Sequence, residues 1–194
     1  QWEIEDLSIH LIHSRKLNIK AVVTFYAAVD ELSGIRLPVY LEDENISVQK
    51  KTMRLLDLAI HKKDTLRLKE EVELVSNKPN IVELLWYSLE VRGLDLRPEE
   101  NVVKAKGELF LFALYRGDNE GETVQWLENS IPFSSEVECN GCTSDMIPNF
   151  ASSIINQSVE VKPDSDGEER ILVTDLVLEL DIRLYREENF DVIM

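Results

Sequence analysis

Cys139-Asn140-Gly141-Cys142 is the stretch of this 194-residue chain whose residue types and spacing most directly suggest chemistry. Two cysteines separated by two residues can give two thiolates to a zinc ion, which then needs two further ligands. They can also cycle between dithiol and disulfide. The sequence holds no second C-x-x-C, and His10, His13 and His61 are far away along the chain. A thioredoxin-type site belongs in a strand–helix–strand context, whereas the surroundings here read as loop and hairpin. The plainer reading of Cys139 and Cys142 is a structural turn, reduced or disulfide-paired. The same thiols could also cross-link two copies of the chain.

Other candidates are weaker. His10 and His13 sit three apart in a strand-like run, so they face opposite sides and make a poor metal pair. Asp164, Asp166, Glu168 and Glu169 form an acidic turn, but without the full carboxylate spacing and bidentate glutamate of an EF-hand loop; a solvated hairpin turn is the plainer reading. Trp2, Trp86 and Trp126 could stack on sugars, although single large aromatics in strands or amphipathic helices usually belong to a core. There is no glycine-rich phosphate loop and no G-x-S-x-G. The residues therefore nominate no catalytic group, no cofactor-binding group and no metal ligand.

The elements that would position these groups read mostly as strands. Val103, Ala105, Gly107, Leu109, Leu111, Ala113 and Tyr115 alternate with Lys104, Lys106, Glu108, Phe110, Phe112 and Leu114, a period-2 ladder that specifies a strand. Gly117 to Gly121 is a polar turn, Thr123 to Leu127 the returning strand, and Pro132 ends that strand or marks a sheet edge. Trp2 to His13, Leu17 to Val29, Ile35 to Leu41, Leu66 to Leu74, Leu89 to Leu96, Ile154 to Val161 and Arg170 to Arg186 also read as strands. Ile46 to Ile60 fits both helical and extended spacing and is assigned to strand from its neighbours. His61 to Asp64 reads as a turn and Ser135 to Ala151 as loop. Ser76-Asn77-Lys78-Pro79 resembles a helix start, and Ile81, Leu84 and Leu85 follow at helical spacing, so one short helix is expected over Asn80–Tyr87.

Composition narrows the partners. With 44% hydrophobic and 30% charged residues the chain is ordinary for a globular protein, but its net charge of −16 is not. So acidic a surface repels nucleic-acid phosphate and anionic lipid; basic proteins or cationic ligands are allowed, and solubility alone is the plainer reading. No apolar run approaches the ~20 residues of a membrane span, and no secretory signal is visible. Two cysteines make no disulfide framework and suit a reducing compartment. The chain starts at Gln1 inside a strand approach and reads as a piece of a longer protein.

Two regions look alike. Leu17, Ile19 and Val23 can be laid over Ile171, Val173 and Val177, each set preceded by an alternating strand. The match is imperfect in phase, because Leu176, Leu178, Leu180, Ile182 and Leu184 alternate on the other face. A true repeat would imply a modular array rather than an enzyme.

These residues carry a family resemblance. Glu70-Glu-Val-Glu-Leu with Lys78-Pro-Asn-Ile-Val-Glu-Leu-Leu, Lys106-Gly-Glu-Leu with Ala113-Leu-Tyr and Ile131-Pro-Phe, and Asp166-Gly-Glu-Glu-Arg-Ile-Leu-Val resemble the SPOCS family, domains of clostridial spore-coat morphogenesis proteins. Members carry several such domains and often a LysM module, of which this stretch shows no sign. The resemblance implies a mainly β protein with antiparallel, sandwich-like modules in tandem. Residues 1–69 would hold the closing strands of a preceding unit plus a connecting β segment, and 70–194 a complete unit. It further implies a non-enzymatic assembly module that docks a spore-coat or envelope protein, with self-association possible. The implied location is the mother-cell cytoplasm at the developing spore surface, with no nucleic-acid partner and no membrane insertion. The other class in view is a carbohydrate- or cation-binding envelope module.

Overall fold

The computed structural model describes residues 2–29, 31, 33–42, 46–121 and 123–193. Among them regular structure is entirely β-strand, eight strands joined antiparallel. The chain divides into two units, Gln1–Asp43 and Glu44–Met194. The boundary expected between residues 69 and 70 falls inside an unbroken strand.

Unit one is a hairpin of β1 (Trp2–His13) and β2 (Lys16–Phe25), closed by a turn at Ser14 and Arg15. The register puts Trp2, Ile4, Leu7, Ile9 and Leu11 opposite Phe25, Val23, Ala21, Ile19 and Leu17. One face is thus wholly apolar, and it is exposed, from 39% at Val23 to 76% at Phe25. The strand expected to reach Val29 stops at Phe25, and Ile35 to Leu41 forms no strand.

Unit two holds two three-stranded sheets. In one, β3 (Lys50–Glu73) and β7 (Ile147–Pro163) flank β8 (Glu169–Ile193); in the other, β4 (Ile81–Glu99) and β6 (Val124–Glu138) flank β5 (Val102–Gly117). Period-2 alternation decides what each strand buries. Val103, Ala105, Leu109, Leu111, Ala113 and Tyr115 on β5 join Leu172, Leu176, Leu178, Leu180, Ile182 and Leu184 on β8 in one apolar core. Each fully buried leucine stabilises the fold by roughly 1.5–3 kcal/mol. Pro132 lies on the edge strand β6, where its missing N–H leaves no ladder bond broken.

The helix expected over Asn80–Tyr87 is instead the start of β4. Register shifts between Ile81 and Glu83 and between Leu84 and Trp86 insert one residue each. They push Val82 and Leu85 outward to 49% and 47% exposure. The inward residues become Ile81, Leu84 and Tyr87, so two bulges three residues apart counterfeit a helical period. The preceding Ser76-Asn77-Lys78-Pro79 is a turn, held by Arg170: its guanidinium donates to the carbonyls of Lys78 and Val75, both at 3.0 Å, and to Asn80 Oδ1 at 2.6 Å. Tyr115 Oη donates to the Pro79 carbonyl at 3.3 Å.

Two loop expectations are also corrected. His61 to Asp64 continues β3, where Lys62 Nζ reaches across to the Glu138 carbonyl at 2.6 Å and to Asp64 at 2.7 Å. Charged residues there bridge two strands rather than solvate a turn. Ser135 to Glu138 extends β6 and Ile147 to Ala151 opens β7, so the loop shrinks to Cys139–Met146.

The resemblance between the two regions is real but shifted by one residue. Every pair from Trp2 opposite Phe25 to Leu11 opposite Leu17 has its counterpart from Ser152 opposite Leu180 to Val161 opposite Leu172. Even the bulge recurs: between Ile4 and Asp6 in β1, and between Ile154 and Asn156 in β7. Leu17, Ile19 and Val23 therefore correspond to Leu172, Thr174 and Leu178. A slip of one residue exchanges the two faces of a strand, which explains the phase conflict seen in the sequence.

Candidate docking face

The outward residues of β4–β5–β6 form the largest concentration of exposed aromatic surface in unit two. Pairing places Trp86, Leu114 and Trp126 in one row across the sheet, with Ser88, Phe112 and Glu128 in the next and Glu90, Phe110 and Ser130 beyond. Trp86 and Trp126 are 53% and 51% exposed. They are not core residues, contrary to the expectation for single large aromatics. Trp86 meets Phe112 edge-on, with centroids 5.7 Å apart, and Phe112 lies nearly parallel to Trp126 at 6.4 Å. Packing three rings side by side on the solvent face fixes their orientation at little entropic cost.

The rim of this face is charged and internally paired. Lys78 Nζ sits 5.2 Å from the Trp126 ring centroid and donates to the Trp126 carbonyl at 3.0 Å. Arg92 lies over Phe110, 3.4 Å from its centroid, and gives two hydrogen bonds to Glu90 Oε2. Arg116 pairs with Glu83 at 3.0 Å, and Ser130 donates to Glu108 at 2.6 Å. The tryptophan row itself is apolar, and Val124 is 62% exposed beside Trp126. The face thus combines a half-exposed aromatic centre with a charged, paired rim.

The two cysteines lie at the other end of the sheet, both fully buried. Their turn is folded over the β4–β5 hairpin. Asn101, at φ 61, accepts from the Cys139 N–H at 2.8 Å and donates its own N–H to the Cys142 carbonyl at 3.0 Å, while its Oδ1 takes the Gly141 N–H at 2.8 Å. The Cys142 thiol points at the Glu99 and Val102 carbonyls, 2.9 and 3.2 Å away. Burial, with the adjacent Cys142 thiol, pushes Cys139 up to about 11. Both sulfurs are free. So raised, the Cys139 thiol is a weak nucleophile at neutral pH, and the turn acts as a fastening for Asn101.

The remaining candidates form no larger cluster. In unit one His10 stands opposite Asn18 and His13 opposite Lys16, so the bulge between Leu11 and His13 puts both on one face, contrary to the alternation expected from the sequence, while His61 in unit two pairs with Asp181 at 3.0 Å. Asp164 spends one carboxylate oxygen on the N–H groups of Asp166 and Glu168, at 2.9 and 3.0 Å, closing the β7–β8 turn. Trp2 is 63% exposed on the apolar face of unit one. Among the described residues no group of three or more His, Cys, Asp or Glu side chains is placed to hold a metal ion, and no helix is long and apolar enough to cross a membrane. Sequence reasoning undervalued Phe112 as a site residue. Its signal was its position on the non-core phase of a strand whose other phase is fully apolar.

Residues 80–162, from the start of β4 almost to the end of β7, match the family model described as SipL, SPOCS domain. This stretch contains Trp86, Phe112, Trp126 and the cysteine turn. Comparison with curated proteins and with solved structures gives no match.

Proposed function

We propose that this chain, which carries a SPOCS domain over residues 80–162, is a non-enzymatic assembly module of a spore-coat or envelope protein and works by docking another protein. The observation that carries the reading is the half-exposed Trp86–Phe112–Trp126 face on the matched domain. Buried tryptophans at the centre of an interface dominate binding energy, surrounded by polar contacts that exclude water. The edges of β4 and β6 flank that face and offer unpaired backbone groups to an extended partner segment. The net charge of −16 favours a basic partner and disfavours nucleic acid and anionic membrane. Self-association through the same face competes with docking. The work is placed in the mother-cell cytoplasm, at the surface of the developing spore.

A second reading has a specific observation in its favour. Phe112 and Trp126 are inclined by only 12°, an arrangement on which sugar rings can stack. Against it, Glu83, Glu90 and Glu108 already bind the protein's own donors, so fewer carboxylates remain for sugar hydroxyls. Affinity capture from sporulating cells by the native chain and by the Trp86→Ala, Trp126→Ala double variant separates the two, run beside co-sedimentation with purified spore peptidoglycan. Docking predicts a coat or envelope protein captured by the native chain alone and no peptidoglycan retention.

A further inference from the structure

Past Tyr185, where its pairing with β7 ends, β8 runs on with β3 as a two-stranded ribbon, Lys50–Leu58 against Tyr185–Ile193. Two strands alone are marginal in water, and along Lys50–Leu58 the outer side of β3 has no strand beside it among the described residues. Only further on does Lys62 reach across to the Glu138 carbonyl of β6. Free edges are normally blunted by proline, bulges or charge. Here β4 carries three register shifts and Pro98, β6 carries Pro132, and β7 carries Pro148, Pro163 and the shift after Ile154. The free end of β8 carries Glu187, Glu188 and Asp191, which would meet like charge in a second copy. Lys50–Leu58 holds no proline, and its first register shift comes after Leu58. Met53 and Leu56 on it are 38% and 60% exposed.

We propose that Lys50–Leu58 pairs antiparallel with the same segment of a second copy, about a twofold axis at Arg54. The sequence is complementary to itself in that register. Lys51, Met53, Leu55 and Asp57 share one face, opposite Val192, Phe190, Glu188 and Arg186 of β8. Turned end for end about Arg54, they set Lys51 against Asp57 and Met53 against Leu55, twice over. Two ion pairs thus flank an apolar centre, and cross-strand pairs of both kinds stabilise a sheet. Neither Lys51 nor Asp57 has an ion pair of its own among the described residues; Arg186, opposite Asp57, pairs with Glu188 at 3.5 Å instead. On the other face Thr52 meets Leu56, and each Arg54 meets its twin while keeping Glu187 of its own chain at 3.5 Å. Sliding the register by two residues sets Lys51 against Leu55 or Ala59 and loses both ion pairs. One patch serves both partners, as a twofold interface requires, which is why the occupant is a second copy. Sheet β7–β8–β3 of one copy then continues into β3–β8–β7 of the other. This contact is separate from the Trp86–Phe112–Trp126 face and does not rest on the docking reading.

Sedimentation velocity of the full chain across a concentration series reads the dimer directly, with Lys51→Glu, Asp57→Lys and the Lys51→Glu, Asp57→Lys double variant beside the native chain. The proposal predicts a reversible dimer of the native chain. Either single reversal sets like charges together at both ion pairs and weakens the dimer about tenfold or more. Mixing the two single variants restores it as a heterodimer, because each supplies the charge that the other lacks, and the double variant restores it alone. A chain that has merely lost its fold is not rescued by mixing. Arg54→Cys in a glutathione redox buffer cross-links as a dimer faster than Leu58→Cys, since Arg54 faces its own twin and Leu58 faces Lys50. A native chain that stays monomeric at millimolar concentration overturns the proposal. So does a dimer that both single reversals leave intact, or one that mixing does not restore. A dimer abolished by Trp86→Ala with Trp126→Ala overturns it in favour of the aromatic face.

Discussion

Phe112 and Trp126 lie with ring planes 12° apart and centroids 6.4 Å apart on the outer face of β5 and β6. Neither ring belongs to the core cluster, so removing one strips contact surface without opening a cavity. Trp126→Ala and Trp86→Ala are expected to weaken partner binding by about 2 kcal/mol each, roughly 30-fold. Far-UV circular dichroism should be unchanged, and the urea midpoint should move by less than a core truncation would move it. A large loss of stability would place these rings in the fold rather than in the interface.

Burial raises the Cys139 thiol to about 11, above its value in the unfolded chain. The unfolded state therefore loses its proton first as pH rises, and unfolding gains on folding. Stability from this source is fully present below about pH 8.5 and is lost as pH rises toward 11. Burial also raises Tyr115 and adds to the alkaline loss. Chemical denaturation between pH 8 and 11 checks this: Cys139→Ser should flatten part of the decline. Dithionitrobenzoate should react slowly with the native chain at pH 8 and rapidly after unfolding.

The Cys142 thiol faces two carbonyls in a closed turn. Cys142→Ser keeps a donor there and should be mild, whereas Cys142→Ala leaves both acceptors without it and is expected to cost about 1–3 kcal/mol. Equal urea midpoints for the two variants would show that the thiol's contacts contribute nothing.

Gly117 sits under the β3–β4 turn. A Cβ there would meet Pro79 Cγ at 2.6 Å, and a proline ring within a turn gripped by Arg170 has little room to yield. Gly117→Ala should destabilise by about 1–3 kcal/mol through overpacking. Arg170→Met, which deprives the carbonyls of Lys78 and Val75 of their donor, should destabilise by a similar amount, about 1–3 kcal/mol. Because both act on one turn, their effects should fall short of additive in a double-mutant cycle.

Where alternation was regular, the sequence was easy to read. Val103 to Tyr115 announced both the strand and its buried face, because a single uninterrupted period admits one register. It misled where the backbone breaks period. The bulges after Ile81 and Leu84 make a strand look helical, and a slip of one residue in laying β2 over β8 hides the repeat until pairing reveals the phase. The aromatic face was illegible for a different reason. Trp86 and Trp126 come from different strands, and only the order β4–β5–β6 brings them to either side of Phe112. The SPOCS resemblance agrees with the family model that matches residues 80–162, and the exposed face had to come from the fold.

Charge supplies a further expectation. With a net charge of −16, association with a basic partner should slow and weaken as salt rises, since the Debye length shrinks from about 10 Å at 0.1 M to about 3 Å at 1 M. Stopped-flow association rates at several salt concentrations measure this, and a salt-independent rate would remove electrostatic steering from the account.

The most direct test of docking is capture from sporulating cells by the native chain and by the Trp86→Ala, Trp126→Ala double variant, with proximity cross-linking mapped by mass spectrometry. The account predicts a spore-coat or envelope protein recovered by the native chain, cross-links that flank β4 and β6, and loss of that protein from the variant. Equal recovery by both chains, or cross-links confined to other surfaces, would contradict it.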